Sequence, residues 1–82
     1  MPFASPEEIA AEARKLRRLQ LMMDLVMSVI SQSHAMPVEE ASELVASARR
    51  AALSMFPGKE LAYDLIYRPR FQRLMAEKYR MQ

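Results

Sequence analysis

The sequence has no cysteine and no tryptophan, and only one glycine and one histidine among its 82 residues. The missing cysteine excludes disulfide bonds, thiol nucleophiles and cysteine-bound metals, and it is compatible with a reducing compartment. The single histidine, His34, would need two or three further ligands to hold zinc, and only Asp or Glu could supply them. No spacing signals a Ser–His–acid arrangement around it. We therefore predict a non-enzymatic protein with no catalytic, cofactor-binding or metal-binding residues.

Long apolar runs are also missing. The most apolar stretch, Leu19–Ile30, has twelve residues and contains Asp24, whereas a membrane-spanning helix needs about 20 apolar residues. The first residues lack the basic and apolar segments of a secretory signal. We therefore predict a soluble cytoplasmic protein without membrane contact. Its formal charge of +2 is well short of the charge of a dedicated nucleic-acid coat.

What is abundant is the group of residues that favour helices, namely alanine, leucine, methionine, glutamate and arginine. No stretch alternates with the period of two that an amphipathic strand requires. Start and stop signals predict an all-α fold in a single domain over residues 1–82. The small bundle has one long helix over about 6–33 and three shorter helices over about 37–56, 59–67 and 70–80.

Capping residues and prolines define these limits. Ser5 and Glu8 form a capping box at the start of the first helix. Pro57 ends the second helix, and Leu61 and Leu65 define the apolar face of the third. Pro69 is expected to stop or kink the third helix, so that the chain changes direction before the fourth. At 1.5 Å per residue the first helix is about 40 Å long. A compact domain of this length is only about 30 Å across, so we expect the helix to outrun the bundle.

The segment Leu19–Ile30 is apolar on nearly every side, which is typical of a buried helix. It is therefore either a central core helix or a contact between subunits. A heptad pattern with Ile9, Leu16, Met23 and Ile30 at one core position runs through the whole first helix for barely three repeats. We predict that it forms a homodimer as well as part of the core. The residues predicted at the interface are Leu19, Met22, Met23, Val26, Met27 and Ile30. The frequent methionines fit either core filling or an adaptable partner groove.

Three polar residues interrupt this segment at four-residue spacing: Gln20, Asp24 and Ser28. On a helix they form one narrow stripe. The stripe either faces solvent or lies inside an interface, where a polar group can fix the register of two helices. A buried Asp24 would need a partner from a neighbouring helix, such as Arg49 or Arg50, because an unpaired buried charge is costly.

Basic residues form two clusters, one in the first helix and one near the C-terminus. The C-terminal cluster is interleaved with Tyr67, Phe71 and Tyr79, and basic groups with aromatic rings suit a nucleic-acid surface. A solvated basic surface and a contact with an acidic protein are the other interpretations. The candidate contact residues are Arg14, Arg17, Arg18, Arg70 and Arg73.

These observations favour a non-catalytic helical interaction or oligomerisation module, homodimeric through the apolar part of the first helix. Contact with another protein is compatible with the same surface. The alternative is a small nucleic-acid-associated regulator that uses the arginine clusters at residues 14–18 and 68–80.

Overall fold

The computed structural model describes residues 4–80. Within them the chain forms four α-helices and no strand, which confirms the predicted all-α bundle with a long first helix. The predicted domain limits at residues 1 and 82 lie outside the described part. The helices are α1 (Pro6–Gln32), α2 (Val38–Met55), α3 (Glu60–Ile66) and α4 (Arg68–Lys78).

The start of α1 is the predicted capping box. The Ser5 hydroxyl accepts a hydrogen bond from the Glu8 N–H at 3.2 Å, and the Glu8 carboxylate accepts one from the Ser5 N–H at 3.2 Å. Two of the N–H groups left free at the helix start are thereby satisfied. The end of α2 follows from Pro57 and from Gly58, whose φ of +80° is a conformation that glycine adopts without a steric penalty.

Helices α1, α2 and α4 form the bundle, and α3 connects α2 to α4 at one end. The polar contacts of α4 show that it runs in the same direction as α1. Arg70 near its start lies 3.8 Å from Asp24, and Lys78 at its end donates to the Ser33 carbonyl. The Tyr79 hydroxyl donates to the Met36 carbonyl at 2.8 Å. The end of α4 therefore fastens the loop that joins α1 to α2.

Three aromatic side chains at four-residue spacing, the aromatic column, fill much of the core: Tyr63, Tyr67 and Phe71. They pack with α1 residues and with an alanine seam on α2, where small side chains let a neighbouring helix come close. The Tyr63 hydroxyl donates to the Met23 sulfur at 3.7 Å. Burial raises the pKa of Tyr63, so this hydroxyl stays protonated and remains a donor. The seam consists of Ala41, Ala48 and Ala52.

The junction between α3 and α4 differs from the sequence prediction. Helix α4 begins at Arg68, before Pro69, because a proline in the first helical turn loses no hydrogen bond. The N–H groups of Tyr67 and Phe71 bond to carbonyls four residues earlier, so the helical pattern continues through the junction. Its apolar face is also different. Leu61 and Leu65, predicted to define the packed face, are 73% and 70% exposed, because the larger aromatic rings occupy the core.

The molecule is elongated, as the length of α1 predicts. It measures 56 × 21 × 16 Å, with a radius of gyration of 15.2 Å against about 12 Å for a compact domain of this length. The first turns of α1, residues 6–14, are exposed throughout and are called the projecting segment below. Ile9 and Leu16 lie on the same side of α1 as buried Met23. They are nevertheless 58% and 47% exposed, because the bundle no longer covers them.

Candidate interaction surfaces

The residues predicted to contact a second copy lie against the chain's own bundle. Leu19, Met23 and Ile30 are buried in the core. The other three are half-buried and pack against that core: Met22, Val26 and Met27. A contact between copies through α1 would therefore use other apolar residues of this helix.

The side of α1 that faces away from the bundle is the first such surface, called the outer face below. Leu21, Leu25 and Val29 lie one turn apart on it, and both leucines are 64% exposed. Sequence reasoning missed them because the whole segment is apolar, so hydrophobic spacing does not select a side. The heptad series through Ile9 and Met23 held the missing signal, since Leu21 and Leu25 lie opposite to it.

The polar stripe lies beside the outer face. Gln20, Asp24 and Ser28 are all exposed in the single chain. The partner of Asp24 is Arg70 on α4, at 3.8 Å, and not Arg49 or Arg50. Both side chains are largely exposed, so this ion pair contributes little to stability.

The second surface is a groove at the end of the bundle next to the projecting segment, called the end groove below. It has a volume of about 470 Å³ and an apolar floor. Two cations flank it, since Lys59 lines it and the Lys15 ammonium lies 4.7 Å from the centre of the Phe56 ring. Its apolar lining includes Leu16 and Leu19 of α1, Leu53 of α2, Phe56 after α2, and Ile66 of α3.

A second cleft, of about 590 Å³, lies between α2 and the α3–α4 segment. Its polar feature is a two-pronged ion pair in which Arg49 donates to both oxygens of Asp64, at 3.0 and 3.1 Å. These hydrogen bonds lower the pKa of Asp64 and raise that of Arg49. Each group already satisfies the other, so the pair ties α2 to α3 and offers no free acid or base for catalysis.

Replacing Asp64 by asparagine is expected to lower stability at pH 7 and to remove part of the acid sensitivity of the fold. The pKa of Asp64 is lower in the folded chain than in the unfolded one. Its contribution is therefore complete above the unfolded value of about 4 and is lost as the pH falls through the folded value. Urea midpoints of Asp64→Asn and the wild type should differ at pH 7 and converge at about pH 2.

The control for this prediction is Asp24→Asn, which removes the same charge from the exposed pair with Arg70. It should leave the urea midpoint at pH 7 close to that of the wild type. Equal midpoints for Asp64→Asn and the wild type at pH 7 would contradict a stabilising role for the Arg49–Asp64 pair.

The basic clusters are exposed, but two of the three aromatic residues interleaved with the C-terminal cluster are buried. Arg14, Arg17 and Arg18 lie on the exposed side of α1, and Arg70 and Arg73 on α4. Tyr67 and Phe71 belong to the core. The Tyr79 hydroxyl is engaged with the loop between α1 and α2. A surface that binds single-stranded nucleic acid combines cations with exposed rings, and of these three rings Tyr79 alone is partly exposed. The predicted contact stays a prediction.

Metal-binding groupings do not form in the part of the chain that the structure describes. His34 lies exposed in the loop after α1, and across residues 4–80 no three His, Cys, Asp or Glu side chains lie where they could hold a metal ion together. None of the described helices combines the length and the apolar character required to cross a membrane.

Comparisons with known proteins give no functional assignment, so the proposal below rests on the surfaces described above. No protein-family model, no curated protein and no solved structure gives a significant match to this chain.

Proposed function

We propose that the chain is a non-catalytic helical interaction module that forms homodimers through α1. The observation that carries this proposal is the amount of surface left in contact with water. A compact monomer of 9.5 kDa is expected to expose about 5,000 Å², whereas this chain exposes 6335 Å². The excess, on the order of 1,000 Å², is as large as the roughly 800 Å² that each partner contributes to a standard interface.

Part of this exposed surface is apolar, and α1 contributes five of the nine large apolar side chains that are exposed within residues 4–80. Five large apolar side chains of this helix are exposed, and large exposed apolar areas mark interaction sites. Two lie at the projecting end and three on the outer face: Ile9 and Leu16, and Leu21, Leu25 and Val29. A second copy that docks on either group would remove its side chains from water on both subunits, because a two-fold interface uses the same surface twice.

The nucleic-acid alternative rests on the arginines alone, because Tyr67 and Phe71 of its aromatic component are in the core. Charge without exposed rings supports only sequence-independent contacts with phosphates. We therefore place association between copies first. The cysteine-free sequence also supports our proposal of a cytoplasmic location, because disulfide bonds do not persist in that reducing compartment and a cytoplasmic fold does not depend on them.

The oligomeric state in solution tests this function. Light scattering coupled to gel filtration should give twice the chain mass of 9.5 kDa at high micromolar concentration. The mass should return to that of one chain on dilution. Because the contact is apolar, the dimer should persist at about 1 M salt, where the Debye length is only about 3 Å. A clean monomer at high micromolar concentration would overturn the proposal.

A further inference from the structure

We propose that the projecting segment of one copy occupies the end groove of another, in a reciprocal antiparallel contact between two α1 helices. This inference rests on the proposed self-association and specifies where it occurs. The projecting segment and the end groove lie on the same side of α1, next to each other. Each copy therefore carries both halves of the contact, an exposed helix end and an apolar groove.

The spacing of two apolar residues supports the antiparallel arrangement. Ile9 and Leu16 are seven residues apart on one side of α1, and both are about half exposed. When two such helices cross near residues 12 and 13, Ile9 of one copy lies opposite Leu16 of the other. The same pairing recurs on the other side of the two-fold axis. The small Ala13 at the crossing point lets the axes approach to about 8 Å.

The end groove has a lining suited to Ile9, the side chain that the antiparallel arrangement brings to it. Leu16 lies at its edge, and Leu19, Phe56 and Ile66 continue the apolar lining beneath. Ile9 of the second copy would therefore leave water for an apolar site, and removal of apolar surface from water favours association. In this arrangement the exposure of Ile9 and Leu16 in the single chain is accounted for, because each residue is covered by the other residue of the second copy.

Charge complementarity also supports a second copy as the occupant. The projecting segment carries three carboxylates, from Glu7, Glu8 and Glu12, and one cation, Arg14. Glu8 and Glu12 flank Ile9 on the side of α1 that also bears Lys15, whereas Glu7 lies on the opposite side. The groove is flanked by the ammonium groups of Lys15 and Lys59. An acidic helix end is thus placed beside a basic margin. Glu12 also lines the groove, and its carboxylate lies 3.7 Å from the Lys15 ammonium. Lys59 therefore supplies the net positive charge of the groove margin.

The main test compares two surface variants that leave the core intact. Ile9→Glu places a charge at an exposed position of the projecting segment and should raise the dimer Kd by about tenfold or more. The matched control, Leu21→Glu with Leu25→Glu, changes the equally exposed outer face and should leave the Kd unchanged. Circular dichroism confirms that each variant remains folded, and sedimentation equilibrium measures the Kd.

Cysteine cross-linking tests the geometry directly, because the chain has no cysteine of its own. A mixture of Ile9→Cys and Leu16→Cys chains should oxidise to a covalent dimer that joins position 9 to position 16. Leu25→Cys chains should remain monomeric on non-reducing gels.

The outcomes separate this inference from the proposed function. Loss of the dimer in Ile9→Glu, together with the 9-to-16 cross-link, supports the contact in the end groove. A dimer that survives Ile9→Glu but is lost in the Leu21→Glu, Leu25→Glu variant, with a cross-link at position 25, overturns the groove contact and leaves self-association standing. A monomer at all concentrations overturns both.

Discussion

Replacing Phe71 by alanine is expected to lower the free energy of unfolding by about 3–5 kcal/mol. The Phe71 side chain is 2% exposed and belongs to the aromatic column on which α1, α2 and α4 meet. Its removal would leave a cavity that the bundle cannot fill, because the neighbouring positions on α2 are alanines. Small domains have only about 5–15 kcal/mol of total stability, so the variant should be close to unfolding at 37 °C.

Leu65→Ala on α3 is the control for this prediction. It removes a side chain that is 70% exposed, so the free energy of unfolding should change by no more than about 0.5 kcal/mol. Urea denaturation followed by circular dichroism measures both variants. A larger loss for Leu65→Ala than for Phe71→Ala would mean that the leucine face of α3, and not the aromatic column, is the packed face.

Replacing Ala48 by leucine is expected to destabilise the fold by about 1–3 kcal/mol, although leucine is a good helix former. Ala48 is buried in the alanine seam of α2 and packs with the core cluster. A side chain larger by three carbons has no space there unless the neighbouring helices move apart. The effect should appear as a lower urea midpoint and a lower melting temperature.

Ala76→Leu makes the same change at an exposed position of α4 and should leave the urea midpoint within the range of ordinary surface substitutions, about 0.5 kcal/mol. An Ala48→Leu variant that is as stable as the wild type would show that the seam has room for a larger side chain. In that case close packing of α2 would not explain its alanines.

The helices could be predicted from the sequence because their limits depend on local residues. The capping box of Ser5 and Glu8 satisfies N–H groups within one turn of its own helix. Pro57 and Gly58 act on the backbone at their own positions. None of these effects requires knowledge of what the helix packs against. The four helices of residues 4–80 therefore lie close to the predicted limits.

The side that each helix buries was harder to predict, because it depends on neighbouring helices. In Leu19–Ile30 almost every direction is apolar, so both Met23 and Leu25 fit a core position until α2 and α4 select one side. In α3 the pair Leu61 and Leu65 and the pair Tyr63 and Tyr67 have the same four-residue spacing. The aromatic pair is buried because it is continued by Phe71 beyond Pro69, whereas the leucine pair has no such continuation.

The position of the aromatic column late in the sequence affects how the chain folds while it is being synthesised. Tyr63 bonds to Met23, which precedes it by 40 residues, so α1 and α2 leave the ribosome before the residues that cover them. At about 5–20 residues per second, this interval lasts a few seconds. During it the apolar side of the nascent α1–α2 pair faces the solvent and is accessible to chaperones and to neighbouring nascent chains. Completion of the core therefore waits for α3 and α4.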